Sequence, residues 1–360
     1  MTMDILITIQ HPAHVHFFKH AIDEFEARGH EVYVRALDKD VSVSLLEEYD
    51  IEHEVIGSPG ESLPALALSA LSIEYRLYRE ARRIEPDVIT TIGGFYAAHV
   101  ARLIGTDCVV FTDTEHATLS NALTFPFADE VATPECYRED AGANQYRYPS
   151  YHELAYLHPD RFEPDPSALD GLPVGPDDTY AVVRLVSWGA AHDVGDEGID
   201  GLSALIDRLE RGGATVLISA EGDALPPELR GYALDVAPHL IHHVLAYADL
   251  FVGESGTMAA ESAVLGTPTV YVHSAEPGLM QDLESYGLLF GYHGDRRNER
   301  AVDRADDILR STDVDWEERR GQLLEERVDA TDVVVRRVLT AARTVGIQEQ
   351  RVPATGAQRS

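Results

Sequence analysis

Short apolar runs alternate along the first third of the chain with longer stretches in which apolar side chains return every three or four positions. The runs "DILITIQ", "EVYVRAL", "EHEVIG", "DVITTIGG", "CVVFTD" and the shorter "EVAT" read as strands. The stretches at 14–28, 63–84 and 96–104 read as helices, the first and last stopped by Gly29 and Gly105. Nearly continuous apolar strands separated by helices imply parallel pairing in a sheet covered on both faces. The apolar half of the second helix, "LPALALSALSIEYRLY", is expected to bury against that sheet, because it lacks the Lys/Arg face of an interfacial helix.

The alternation stops at residues 158–179, a polar passage with five prolines that reads as a linker. It restarts with "YAVVRLVSW", a helix at 199–210, "ATVLISAE", "ALDVA", a short helix at 240–247, "LFVGES", a helix at 257–265 and "TVYVH". Helix is expected from residue 315 to about 344, with a frayed tail at 346–360. The domain reading is therefore 1–157, a linker at 158–179, and 180–345 with terminal helices. In such open sheets ligands sit beyond the carboxyl ends of the strands, which predicts a site in a central cleft faced by both domains.

Composition removes several function classes. The 360 residues carry 62 acidic and 29 basic side chains, net −33, and only Lys19 and Lys39 are lysines. Such a surface repels nucleic acid and anionic headgroups. Spread along the chain, the acids resemble the coat of proteins from salt-loving archaea, where molar salt screens charge over roughly 3 Å. Cys108 and Cys136 form no metal-type spacing or disulfide framework. No long apolar span or leader pattern is visible, so a cytoplasmic location is expected. The sets His239, His242, His243 and His152, Glu153, His158 do not match a zinc pattern, and no metal is expected. Neither G-x-G-x-x-G after the first strand nor a P-loop occurs, so no nicotinamide or other cofactor is expected.

The most informative segment is "VGESGTMAAESAVLGTPTVYV", which reads strand, small-residue turn, helix, glycine stop, strand. Ser255, Gly256 and Thr257 enter the helix where N–H groups and the dipole favour a phosphate. Glu261 follows one and a half turns later, placed to accept hydrogen bonds from a ribose diol. The bland alternative is a tightly packed strand–helix joint with Glu261 in solvent.

This segment resembles the nucleotide-sugar motif of GT-B-fold enzymes. Non-hydrolysing UDP-N-acetylglucosamine 2-epimerases have a Ser-Gly-Gly turn with a Glu six residues after the serine, matched here by Ser255 and Glu261; Thr257 departs from their glycine. The resemblance implies that the turn holds the diphosphate and Glu261 the ribose. "TTIGGFYAAHVARLIGTDCVVFTDTEHA" resembles the N-terminal domain of peptidoglycan-type glycosyltransferases, with Gly93 and Gly94 opening a helix towards an acceptor or phosphate. Together with "HPAHVHFFKH", "FPFAD", "YHELAYLHP" and "VSW", the chain is identified as a member of a mostly archaeal domain-of-unknown-function family near these enzymes. The implied fold is α/β and GT-B-like, with two Rossmann-like parallel-sheet domains and C-terminal helices.

Chemistry is then sought at the strand ends. His14 falls near the helix-opening histidine of the resembling transferases. At a helix N-terminus imidazole is biased towards neutrality and would serve as base for an acceptor hydroxyl. His11 is its neighbour, while His16 and His20 are expected on the helix surface. Asp113, Glu115 and His116 in "FTDTEHA" are the rival acid/base set. Ser187 and Trp188 follow the second domain's first strand, as do His192 and Asp193, with Trp188 suited to stack on sugar or base. The expected activity is metal-independent glycosyl transfer from a nucleotide-sugar, UDP-linked by the resemblance, to a glycan or lipid-linked acceptor. The alternatives are sugar-nucleotide 2-epimerisation and non-catalytic sugar-nucleotide binding.

Overall fold

The computed structural model describes residues 2–60, 62–185, 202–220, 225, 227–272, 277–311 and 313–349. It forms two compact units: one runs to Tyr156 and takes in the chain again from Asp329, the other is Leu157–Val328.

The first unit holds seven strands: β1 (Asp4–Ile9), β2 (Glu31–Leu37), β3 (His53–Gly57), β4 (Val88–Ile92), β5 (Asp107–Phe111), β6 (Glu130–Pro134) and β7 (Gln145–Tyr148). Their order is β3-β2-β1-β4-β5-β6-β7, and every pair is parallel. The apolar runs explain this: Ile5, Leu6, Ile7 and Ile9 are fully covered, as both faces of a central parallel strand require. The helices are α1 (Pro12–Ala27), α2 (Ser42–Glu48), α3 (Leu63–Ile84), α4 (Phe95–Ile104) and α5 (Thr118–Thr124). Among the described side chains of α3, Ile73, Leu77 and Ala81 are buried, whereas Leu68, Leu71 and Tyr75 are 70%, 66% and 63% exposed, against the expectation of burial.

The second unit holds β8 (Tyr180–Leu185), β9 (Thr215–Ala220), β10 (Leu250–Gly253), β11 (Thr269–Val272) and β12 (Leu289–Tyr292), in the order β12-β11-β10-β8-β9, again parallel. Its helices are α6 (Leu202–Arg211), α7 (Ile241–Ala246), α8 (Gly256–Leu265), α9 (Gly278–Ser285), α10 (Arg297–Arg310) and α11 (Trp316–Glu326). "ALDVA" forms no strand; Ala233 makes an isolated bridge to Ile218. The proline-rich passage is packed rather than free. Ala168, Leu169 and Val174 are buried, and the Asp165 N–H donates to His243 Nδ1 at 2.9 Å.

The terminal helix expected from residue 315 is two helices. The break follows Glu326, and α12 (Ala330–Glu349) belongs to the first unit, not to the 180–345 domain of the sequence reading. Val333, Val334, Val335 and Val338 bury its inner face, and α12 lies on α1 and β5. Arg337 pairs with Glu130 of β6, and Thr331 Oγ1 donates to the Ala155 carbonyl at 2.7 Å.

In each sheet the direction of strand addition reverses once, between β1 and β4 and between β8 and β10. The crevice beyond the strand ends at such a reversal is where open parallel sheets hold ligands.

Candidate active site

At the first reversal the strand ends are stitched together by side chains. Thr8 Oγ1 donates to Thr91 Oγ1 at 2.7 Å, and Gln10 Nε2 reaches the same oxygen at 3.4 Å. A Cβ at Gly94 would stand 2.1 Å from Gln10 Nε2 and 2.5 Å from Thr91 Oγ1. Gly94, expected to admit a ligand, here admits Gln10 from the neighbouring strand. Gly93 has φ +61° and its N–H donates to the Phe111 carbonyl at 2.9 Å, so it shapes the turn into α4.

The four opening histidines divide. His11 caps α1, its Nδ1 accepting from the Ala13 N–H at 3.3 Å. His14 Nδ1 accepts from the Gln10 N–H, also at 3.3 Å, and its ring centroid lies 6.1 Å from that of His11. Burial holds His14 well below the usual imidazole range, reinforced by His11, His152 and Lys39. The causes are burial and neighbouring positive charge, where the sequence reading invoked the helix dipole. His16 is buried, not on the surface: it stacks on Tyr156 with centroids 5.2 Å apart and bonds Tyr49 Oη at 3.3 Å. His20 lies 3.8 Å from Asp23.

Of the "FTDTEHA" set, Asp113 meets a histidine from another part of the chain. Its Oδ1 accepts from Thr114 Oγ1 at 2.9 Å, and its Oδ2 lies 3.2 Å from His152 Nδ1. Glu115 instead accepts the Arg138 N–H at 2.8 Å, and His116 is exposed. His152, read from sequence only within a discarded metal pattern, is carried on a strap after β7 that runs back beneath α1. Its ring lies 4.5 Å from that of Phe17. Burial pushes its proton affinity down, opposed by the Asp113 carboxylate. Among the described residues, no group of three or more His, Cys, Asp or Glu is arranged to hold a metal.

At the second reversal the backbone dominates. Ser255 caps α8, Oγ accepting from the Met258 N–H at 3.4 Å. Gly256 and Thr257 stand in the first turn, whose N–H groups have no intrahelical acceptor. Thr257 is exposed, and a Cβ at Gly256 would meet Tyr271 Oη at 3.3 Å. A Cβ at Gly253 would come within 2.9 Å of Arg184 Cβ, so β10 ends pressed against β8. Arg184, at the end of β8, donates to Ser219 Oγ at 2.7 Å. A cation inside the apolar run "YAVVRLVSW" was a signal available in the sequence, since strands rarely bury charge without use.

Glu261 is not in solvent. It is buried, and its Oε1 lies 3.0 Å from His242 Nε2 on α7, itself buried. Ser187 and Trp188, with His192 and Asp193, lie outside the described residues.

The chain belongs to the family described as Protein of unknown function (DUF354), whose pattern it matches over residues 3–343. A related sequence is the uncharacterized protein MJ0665 of Methanocaldococcus jannaschii, 24% identical over 287 residues, which are 77% of this chain and 83% of that protein. Among solved structures, the UDP-GlcNAc 2-epimerase of Neisseria meningitidis bound to UDP-GlcNAc superposes with TM-score 0.65 at 11% identity, covering 97% of this chain and all of that one. The glycosyltransferase SnogD of Streptomyces nogalater gives TM-score 0.61 at 17% identity, over 96% and 99%. The fold is that of GT-B glycosyltransferases and UDP-GlcNAc 2-epimerases: two parallel-sheet α/β units with helices. No helix among the described residues is long and apolar enough to cross a membrane.

Proposed function

We propose that this chain is a GT-B-type glycosyltransferase that takes its sugar from a nucleotide-sugar, UDP-linked by preference, held by the second unit. The observation that carries the reading is the start of α8 at the strand-order reversal of the five-stranded sheet, where Ser255, Gly256 and Thr257 follow β10. First-turn N–H groups and the positive dipole end suit a diphosphate, and small side chains let it approach. Arg184, at the end of the adjacent strand β8, adds a cation at the same edge. That a structure of this fold holds UDP-GlcNAc supports a nucleotide-sugar as the ligand class. Glu261 is the acceptor for the ribose diol in this reading, with the ligand drawing on a carboxylate already braced by His242.

The first unit carries the acceptor side, a glycan or lipid-linked hydroxyl met by the His11, His14, Asp113 and His152 group. That group favours a second reading as well. Epimerisation at sugar C2 needs acid and base groups around one sugar, and a carboxylate–imidazole pair supplies both.

The two readings separate by product. A transferase releases nucleoside diphosphate only when an acceptor is present, whereas an epimerase interconverts sugar nucleotides alone. Incubation with UDP-, GDP-, dTDP- and CDP-sugars, with and without oligosaccharide or lipid-phosphate acceptors, followed by chromatography of the nucleotides, makes the distinction. Interconversion without acceptor would replace transfer by epimerisation; binding without turnover would remove both.

A further inference from the structure

Two imidazoles of the first unit are set in opposite hydrogen-bonding states. His14 Nδ1 is occupied by the Gln10 N–H, so the neutral ring carries its proton on Nε2 and offers a donor. His152 is turned the other way. Its Nδ1 lies 3.2 Å from Asp113 Oδ2, which keeps the proton on Nδ1 and leaves the lone pair on Nε2. That Nε2 is buried with no hydrogen-bond partner among the described residues, and the whole residue is 7% exposed. Buried ring nitrogens are normally paired, so an unpaired one calls for an explanation, a catalytic role among them.

The chain takes some trouble to hold it there. Asp113 comes from the loop after β5, Phe17 from α1 and His152 from the strap after β7, which α12 fastens through Thr331 and Ala155.

We propose that His152, oriented by Asp113, is the proton acceptor of the first unit, and that His14 serves the same reaction as an N–H donor instead of a base. This rests on the glycosyl-transfer reading. An acceptor hydroxyl gives its proton to His152 Nε2, directly or through one water. Its oxygen forms the bond to the anomeric carbon, and the bond from that carbon to the diphosphate oxygen breaks with its electron pair, releasing nucleoside diphosphate. The imidazolium, stabilised by the Asp113 carboxylate, then returns its proton to solvent. For that transfer the buried Nε2 has to be uncovered to the hydroxyl or the water.

The groups acting on this ring set its pH behaviour. Asp113 faces it from the β5 loop; His14 is its neighbour on α1, under the influence of His11 and Lys39; Tyr148 in turn feels Asp113, Cys136 and Glu153. Burial outweighs the carboxylate, so the ring gains its proton only below about pH 6.5, the ordinary imidazole value. Activity should rise with pH through a midpoint under that value and stay level above it. Removing the Asp113 charge moves the midpoint lower still.

Two measurements on the full chain test this. Nitrogen-15 imidazole NMR at pH 7.5 is expected to find His152 as the Nδ1–H tautomer and His14 as the Nε2–H tautomer; the reverse at His152 overturns the proposal. With the nucleotide-sugar that turns over, His152→Gln is expected to lower kcat by about 10²-fold or more, with little change in KM. Asp113→Asn should lower kcat and shift the acidic limb downward. His14→Gln, which restores an N–H near the position of Nε2, should lose less than His14→Ala. Retained kcat in a folded His152→Gln, or equal losses for both His14 variants, overturns the assignment. Should His152→Gln fail to fold, Asp113→Asn and the tautomers decide. Absence of turnover with every sugar nucleotide sinks the transfer reading and the base role with it, while the NMR result still settles the Asp113–His152 pair.

Discussion

The two strand-order reversals of this molecule are built in different ways. In the first unit the crevice is furnished with side chains: Gln10 against Gly94, His14 on the Gln10 N–H, and Asp113 against His152. In the second it is furnished with backbone, the Ser255–Thr257 turn at the head of α8, with its ionisable pair of Glu261 and His242 drawn inside. One edge presents titratable side chains, the other the first-turn N–H groups of a helix. A division of that kind suits a two-substrate reaction, in which a diphosphate must be held and a hydroxyl activated.

The contrast can be broken most forcefully at Glu261. Its replacement by Ala takes the carboxylate away from the buried His242, and losing a hydrogen bond to a charged group costs about 1.5–3 kcal/mol. Glu261→Gln, which keeps a hydrogen-bonding oxygen, should lose far less. Urea denaturation of both variants checks this; equal stability of wild type and Glu261→Ala would mean that the pair does not brace α7 against α8.

Next in size is Gly94→Ala. The added methyl would collide with Gln10 and Thr91, and overpacking of this sort costs about 1–3 kcal/mol. Adding Gln10→Ala to the same chain should recover part of the loss in a double-mutant cycle. If Gly94→Ala is neutral, the crevice is not filled by Gln10 and stands open to a ligand.

A smaller effect lies in the pH dependence of stability. His14 and His152 both bind protons less readily in the folded chain than in the unfolded one. Between the two values the unfolded state holds more protons, so stability is full above about pH 6.5 and declines as pH falls. Thermal melts from pH 8 to 5 should show this slope, and the double variant His14→Gln, His152→Gln should flatten it.

Much of the architecture was legible because buried parallel strands are mostly apolar, as "ILITI" at 5–9 and "YAVV" at 180–183 are. The edge strands β7 ("QYRY") and β12 ("LFGY") escaped because polar and short runs do not stand out from loops. The return of α12 to the first unit could not be read, since its valine face matches any apolar surface and the pattern does not say which. At the site, the residue types were visible but their partners were not. Asp113 was grouped with Glu115 and His116, its near neighbours in sequence, and pairs with His152. The choice of ring nitrogen at His14 depends on one backbone N–H, which no spacing encodes. Glu261 was weighed between ribose and solvent, and the fold gave it a buried imidazole, because α7 packs on α8.

In the proposed function, the second unit receives a nucleotide-sugar at the head of α8. Thermal melts of the wild type and of Gly256→Asp, with millimolar UDP-, GDP-, dTDP- and CDP-sugars in high salt, test this directly. A ligand present at 100 times its Kd stabilises by about 2.7 kcal/mol, which a melt resolves readily. At least one sugar nucleotide should raise the Tm of the wild type, and Gly256→Asp, which sets a carboxylate where the diphosphate would lie, should abolish that rise while remaining folded. A wild type unmoved by every sugar nucleotide, or a variant stabilised as much as the wild type, would contradict it.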